Sequence, residues 1–161
     1  MFWAIFEEDI QTDLISLDEN EDSDASQRNV SAWIIYDLYQ TFLSEFIKSE
    51  NIFMHDNAPV HHAYIVKQIL DKLQIQVMIW SSYLSDLNLI ENLWVIMKQE
   101  IYKLYSELQH AFDTEKILEK LIEIAKKVWH AINQQVLVKL STTMSHCVKT
   151  VIEAKSWYTK Y

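Results

Sequence analysis

The sequence predicts one α/β domain carrying extra helices at its C-terminal end. Short β-prone apolar runs alternate with helical periodicity as far as Trp80, and only helical periodicity follows. With 161 residues, half of them apolar, the chain can bury one sizeable core but not two ordinary ones.

The elements follow in order. Residues 2–6 of "MFWAIF" and the run "TDLISL" at 12–17 are β-prone and separated by a short acidic connection, which predicts a hairpin. "LDENEDSDAS", 17–26, has no apolar period and reads as a solvated loop. From Val30 to Ile47, the residues Ile34, Ile35, Leu38, Phe42 and Phe46 recur at helical spacing. "NIFMHD" at 51–56 predicts a strand, His61 to Leu73 a helix with Ile65, Ile69, Leu70 and Leu73 on one side, and "IQVMIW" at 75–80 a second strand. Strand, helix and strand at this length predict a parallel βαβ unit. A helix from Asn88 to about Leu104 buries Ile90, Leu93, Trp94, Met97 and Ile101. Asp113 and Thr114 are cap candidates for the next, where Ile117, Leu121, Ile124, Val128 and Ile132 repeat at roughly 3.5 residues. The expected organisation is a core over 1–112 and a helical extension of the same domain over 113–161.

Composition narrows the function. A net charge of −9 argues against nucleic-acid binding through bulk electrostatics, so any DNA contact is expected to be local or metal-mediated. The single cysteine, Cys147, permits no internal disulfide, and no apolar run approaches the roughly 18 residues of a membrane span. "MFWAIF" is too short for a signal peptide, so an intracellular chain without membrane association is expected. Average usage gives a domain of this size about 11 glycines and about 8 prolines. This chain has no glycine and one proline, and its 14 basic residues include one arginine.

Two carboxylates stand out. Asp56 ends a predicted strand of the βαβ unit, where functional groups of such units gather. Glu91 follows with 34 residues between them, in the first turn of a predicted helix. Brought together, two such groups repel unless a divalent cation lies between them. Taken alone, each has a plainer reading. Asn88 and Glu91 have the N-x-x-E spacing of a capping box, and Asp56 with Asn57, Ala58 and Pro59 fits an ordinary turn. His55, His61 and His62 cluster in sequence without structural-zinc spacing, and Trp80 and Trp94 read as core residues.

"HDNAPVH" at 55–61 and "WSSYLSDLNLIENLW" at 80–94 resemble the catalytic-domain motifs of mariner-type transposases, the Tc/mariner superfamily of DDE enzymes, which read close to HDNAPxH and WPPxSPDLNPIENLW. Weaker similarity runs from "MFWAIF" through the helix around Tyr36 into the C-terminal helices. The resemblance implies a ribonuclease H-like fold and metal-dependent DNA cleavage at transposon ends followed by strand transfer, in the nucleus. Three carboxylates would hold two Mg²⁺ ions, or Mn²⁺ in their place, roughly 4 Å apart. By motif match Asp56 is the second catalytic, metal-binding acid and Glu91 the third, with Asn57 and His61 in the surroundings.

The departures carry expectations of their own. The family's first acid lies on a strand upstream of the one matched by "MFWAIF", and Asp9, Asp13 and Asp18 do not correspond to it. A fragment with an incomplete cage, weak or absent metal binding and no catalysis is therefore expected. Ser81, Ser82, Ser85 and Leu89 stand where the family has proline, Leu84 where it has serine, and Glu7 and Glu8 where glycine is common; each is one transition away in its codon. That pattern implies a mutationally decayed copy. The partners implied are DNA and either a second copy of the chain or a related transposase. A non-catalytic protein-interaction module derived from a transposon is the alternative.

Overall fold

A computed structural model describes residues 1–17, 30–48, 51–56, 58–80, 87–110 and 114–153. The acidic segment after Leu17, Asn57, the serine-rich stretch 81–86 and Asp113 lie outside the described residues. The chain divides into two compact units, Met1–Leu17 with Leu89–Tyr161, and Asp18–Asn88.

In the first unit the expected hairpin forms as two short antiparallel ladders. β1 (Phe2–Trp3) pairs with β4 (Ile15–Ser16), and β2 (Phe6–Glu7) pairs with β3 (Ile10–Gln11). Between the ladders Ala4 and Ile5 lie opposite Thr12, Asp13 and Leu14, so the second strand carries an extra residue and bulges. Thr12 closes the gap twice: its backbone N–H donates to the Ile5 carbonyl at 2.9 Å, and its Oγ1 accepts from the Ile5 N–H at 2.9 Å. The turn Glu8-Asp9 needs φ of 43° at Glu8, a left-handed conformation that glycine ordinarily supplies.

Among the described residues this unit also holds three α-helices, α4 (Leu89–Leu104), α5 (Glu115–His130) and α6 (Gln134–Glu153), with a 3₁₀ turn at Ser106–His110 between the first two. Leu93, Met97 and Ile101 recur every four residues on α4 and are buried against Ile124, Ala125, Val128 and Trp129 of α5 and Leu137 of α6. Trp129 is fully buried. Its indole N–H donates to the Thr12 carbonyl at 2.8 Å, and the Gln11 amide donates to the Trp129 carbonyl at 2.9 Å. The bulge therefore does more than bend the hairpin, because it turns a backbone carbonyl toward the helical layer where a tryptophan satisfies it.

The second unit contains the predicted βαβ. β5 (Ile52–Phe53) and β6 (Gln76–Val77) pair in parallel, connected through a 3₁₀ turn at Pro59–His62 and the helix α3 (Tyr64–Lys72). Val66, Ile69 and Leu70 form the buried side of α3. The helix ends in a Schellman motif: Ile75 N–H donates to the Leu70 carbonyl and Gln74 N–H to the Asp71 carbonyl, both at 3.0 Å. Gln74 occupies the left-handed position at φ 56°, again without glycine.

The helix predicted over 30–47 is continuous but not uniform. Ser31 caps α1 (Ala32–Leu38) by accepting from the Ile34 N–H at 3.3 Å. A π-helical segment, Tyr39–Leu43, then widens the turn before α2 (Ser44–Phe46). Such segments are rare and recur at functional sites. Here the segment begins on Tyr39, which with Leu43 is completely buried.

Candidate active site

Asp56 lies just past β5, where the chain leaves the sheet in an Asx-type turn: its Oδ1 accepts from the Ala58 N–H at 3.1 Å. The same oxygen lies 3.0 Å from His61 Nε2, so Oδ2 takes part in neither contact. The Asp56 side chain is about half exposed and that of His61 almost buried, at 53% and 11%. His61 Nδ1 meets the Tyr39 hydroxyl at 2.8 Å. A line of hydrogen bonds therefore runs from a phenol in the core through an imidazole to a carboxylate at the surface.

Aromatic contacts hold the line in place. Tyr39 packs edge-on against Phe53 of β5, with centroids 5.4 Å apart, and stacks on His61 at 5.9 Å. His55 stacks in turn on His61, with centroids 4.6 Å apart, and its Nδ1 contacts the Asp56 carbonyl oxygen. Trp80, expected in the core, is only part-buried and instead fastens the strand's exit, its indole N–H donating to the His55 carbonyl at 3.1 Å.

The electrostatics follow from these neighbours. The hydrogen bond from His61 is the largest influence on Asp56 and holds its carboxyl below the usual range, against the opposing effect of burial. Burial, with the Asp56 charge second, pushes the Tyr39 hydroxyl far above its ordinary value, so it stays protonated. Burial also lowers His55. Asp56 is thus an anion over the whole physiological range, on a side chain about half exposed.

Glu91 occupies the first turn of α4 in the other unit and is exposed. An acid there is favoured by the helix dipole in any case. Asp9 and Asp13 are exposed hairpin residues, and Asp13 lies 3.3 Å from His130 Nε2 on the surface. The participation of Tyr39 was not read from sequence, although its place one turn after Ile35, on the buried side of α1, was available as a signal.

A family model described as DDE superfamily endonuclease matches residues 11–113, a stretch containing Asp56, Glu91 and both of the motifs around them. The chain belongs to the DDE superfamily endonucleases. Within them its likeness is to the Tc/mariner transposases. The Tcb2 transposase of Caenorhabditis briggsae is 28% identical over 110 residues, covering 68% of this chain and 37% of that protein. The Tc1 transposase of Caenorhabditis elegans is 27% identical over 110 residues with the same coverage, 68% and 37%. The chain thus matches little more than a third of the length of these relatives. Among solved structures, the Mos1 mariner paired end complex with Mn superposes with a TM-score of 0.54 at 19% identity, covering 82% of this chain and 38% of that one. That likeness establishes the fold as the ribonuclease H-like α/β type.

Proposed function

We propose that this chain contributes Asp56 and Glu91 as carboxylate ligands for the divalent metal of DNA phosphodiester cleavage and strand transfer. Asp56 carries the reading: it is a half-exposed, ionised carboxylate just past the end of a parallel strand, held through Oδ1, with Oδ2 in neither of those contacts. The set of groups fits a hard cation, since Mg²⁺ and Mn²⁺ take oxygen ligands from one or two carboxylates and complete their shells with water and phosphate oxygens. Such ions, when bound, lower the pKa of the attacking water and stabilise the leaving oxygen. The chain's own part is to hold the ligand oxygens. His61 fixes the Asp56 rotamer and keeps it ionised, while Tyr39 fixes His61.

A third carboxylate, wherever it is supplied, completes the cage. Without it the two acids recruit an ion weakly and turn over little. DNA is the substrate class that the reading implies, transposon ends in particular, with a second protein copy bridging paired ends and the nucleus as the place of work. Nicking of supercoiled DNA in Mg²⁺ or Mn²⁺ tests it. Weak metal-dependent nicking that falls to background in both Asp56→Asn and Glu91→Gln is the expected result. Nicking that survives either substitution would refute the assignment.

A further inference from the structure

We propose that His55, Asp56 and His61 together form a three-donor site for a zinc-class divalent ion. Each offers one ligand atom, and these atoms lie within 4.8 Å of one another. Zinc ligands at about 2.0–2.1 Å in a tetrahedron stand roughly 3.3 Å apart. Asp56 Oδ1 and His61 Nε2, at 3.0 Å, are close to that spacing, and the His55 donor, within 4.8 Å of both, has at most about 1.5 Å to close.

The hydrogen bonds behind the donors are those that metal-bound imidazoles use. His55 places Nδ1 against the Asp56 carbonyl oxygen, which orients the ring and leaves Nε2 for the ion. His61 places Nδ1 against the Tyr39 hydroxyl at 2.8 Å. A phenol both donates and accepts. Without an ion, His61 can keep its proton on Nε2 toward Asp56 while Tyr39 donates to Nδ1. With an ion, the proton sits on Nδ1, Tyr39 accepts it, and the Nε2 lone pair turns to the metal. Tyr39 thereby supports both tautomers, as a positioning residue.

Two imidazoles and one carboxylate select against Mg²⁺, which prefers oxygen, and suit Zn²⁺ and its neighbours in the first transition row. Three protein ligands also leave a position open for water. The consequence is competition, because a zinc-class ion on this site withdraws Asp56 from the hard-cation role. The inference shares Asp56 with the function proposed above, but it rests on geometry within one unit and needs neither Glu91 nor DNA.

Zinc titration of the metal-stripped protein against a chromophoric chelator tests it. One Zn²⁺ per chain is expected, with affinity falling by at least about tenfold in His55→Gln and His61→Gln and by about tenfold in Tyr39→Phe. Glu91→Gln and His62→Gln should bind as the unsubstituted chain does, the first of these even while abolishing Mg²⁺-dependent nicking. Where His61→Gln loses its far-ultraviolet circular dichroism, His55→Gln decides alone. No zinc uptake by the unsubstituted chain, or undiminished uptake in His55→Gln, would overturn the proposal.

Discussion

The two units use their buried residues differently. The hairpin and helices α4 to α6 bury a mainly apolar cluster, and the indole N–H of its largest buried member, Trp129, is satisfied by a backbone carbonyl. The second unit buries Tyr39 just as completely, yet that residue's polar tip is spent on His61, which carries the order of the interior out to an exposed acid. The first arrangement makes a support. The second makes a site whose geometry is set from inside the core.

The largest expected effect lies in the support. Trp129→Ala removes a fully buried indole and leaves the Thr12 carbonyl without its donor, and should cost about 3–5 kcal/mol in the unit that contains it. Denaturant unfolding followed at amides of α4 and α5 measures this. Tyr39→Phe keeps the packing of its ring and loses only the hydroxyl contact, so about 1 kcal/mol is expected, alongside a reoriented His61 imidazole visible by NMR. Equal losses for the two substitutions would erase the distinction between the units.

A smaller effect separates the units by pH. His55 has a folded value lowered by burial, so the unfolded chain takes up its proton more readily. The stability this group supports is complete above the unfolded value of about 6.5 and is lost as pH falls toward the lowered folded value. The lowered Asp56 acts in the same direction at lower pH, from the unfolded carboxylate value of about 3.9 downward. Urea midpoints read at the Phe53 and Val77 amides should therefore fall below about pH 6.5, and His55→Gln should remove that first step. Midpoints read at α4 and α5 should not show it.

The smallest effects concern the backbone. Glu8 and Gln74 hold left-handed conformations with side chains, at φ 43° and 56°. Relief of roughly 1–2 kcal/mol of strain, less the 0.4–1 kcal/mol of extra freedom given to the unfolded chain, predicts a gain of about 0.5–1 kcal/mol for Glu8→Gly and for Gln74→Gly. Thermal unfolding of each variant checks it. A loss in either would show that the native side chain makes a compensating contact.

Much of this architecture was readable from periodicity, because a one-sided apolar stripe has one stable solution. The α4 face at Leu93, Met97 and Ile101 and the parallel pairing around α3 are as expected. On α5 a repeat of about 3.5 residues found Ile124 and Val128 but missed Trp129, since a helix packed against both α4 and the hairpin buries a wider stripe than one seam. The strands are shorter than the β-prone runs, and beyond Phe53 the chain turns into the Asx geometry of Asp56. At the site, motif spacing singled out Asp56 and Glu91. It did not reveal the line from Tyr39 to His61, because residues 22 apart meet only through tertiary packing and a π-helical turn that no local pattern announces.

Metal-directed backbone cleavage tests whether both acids bind metal. In the His55→Gln chain, where the transition-metal site proposed above lacks its third donor, Fe²⁺ replacing Mg²⁺ reacts with added peroxide to give hydroxyl radicals that cut the chain near bound metal, and mass spectrometry locates the cuts. Cuts are expected around Asp56 and around Glu91, both suppressed by excess Mg²⁺, the first lost in Asp56→Asn and the second in Glu91→Gln. Cuts confined to one of the two segments, or unaffected by Mg²⁺, would contradict metal binding by both acids.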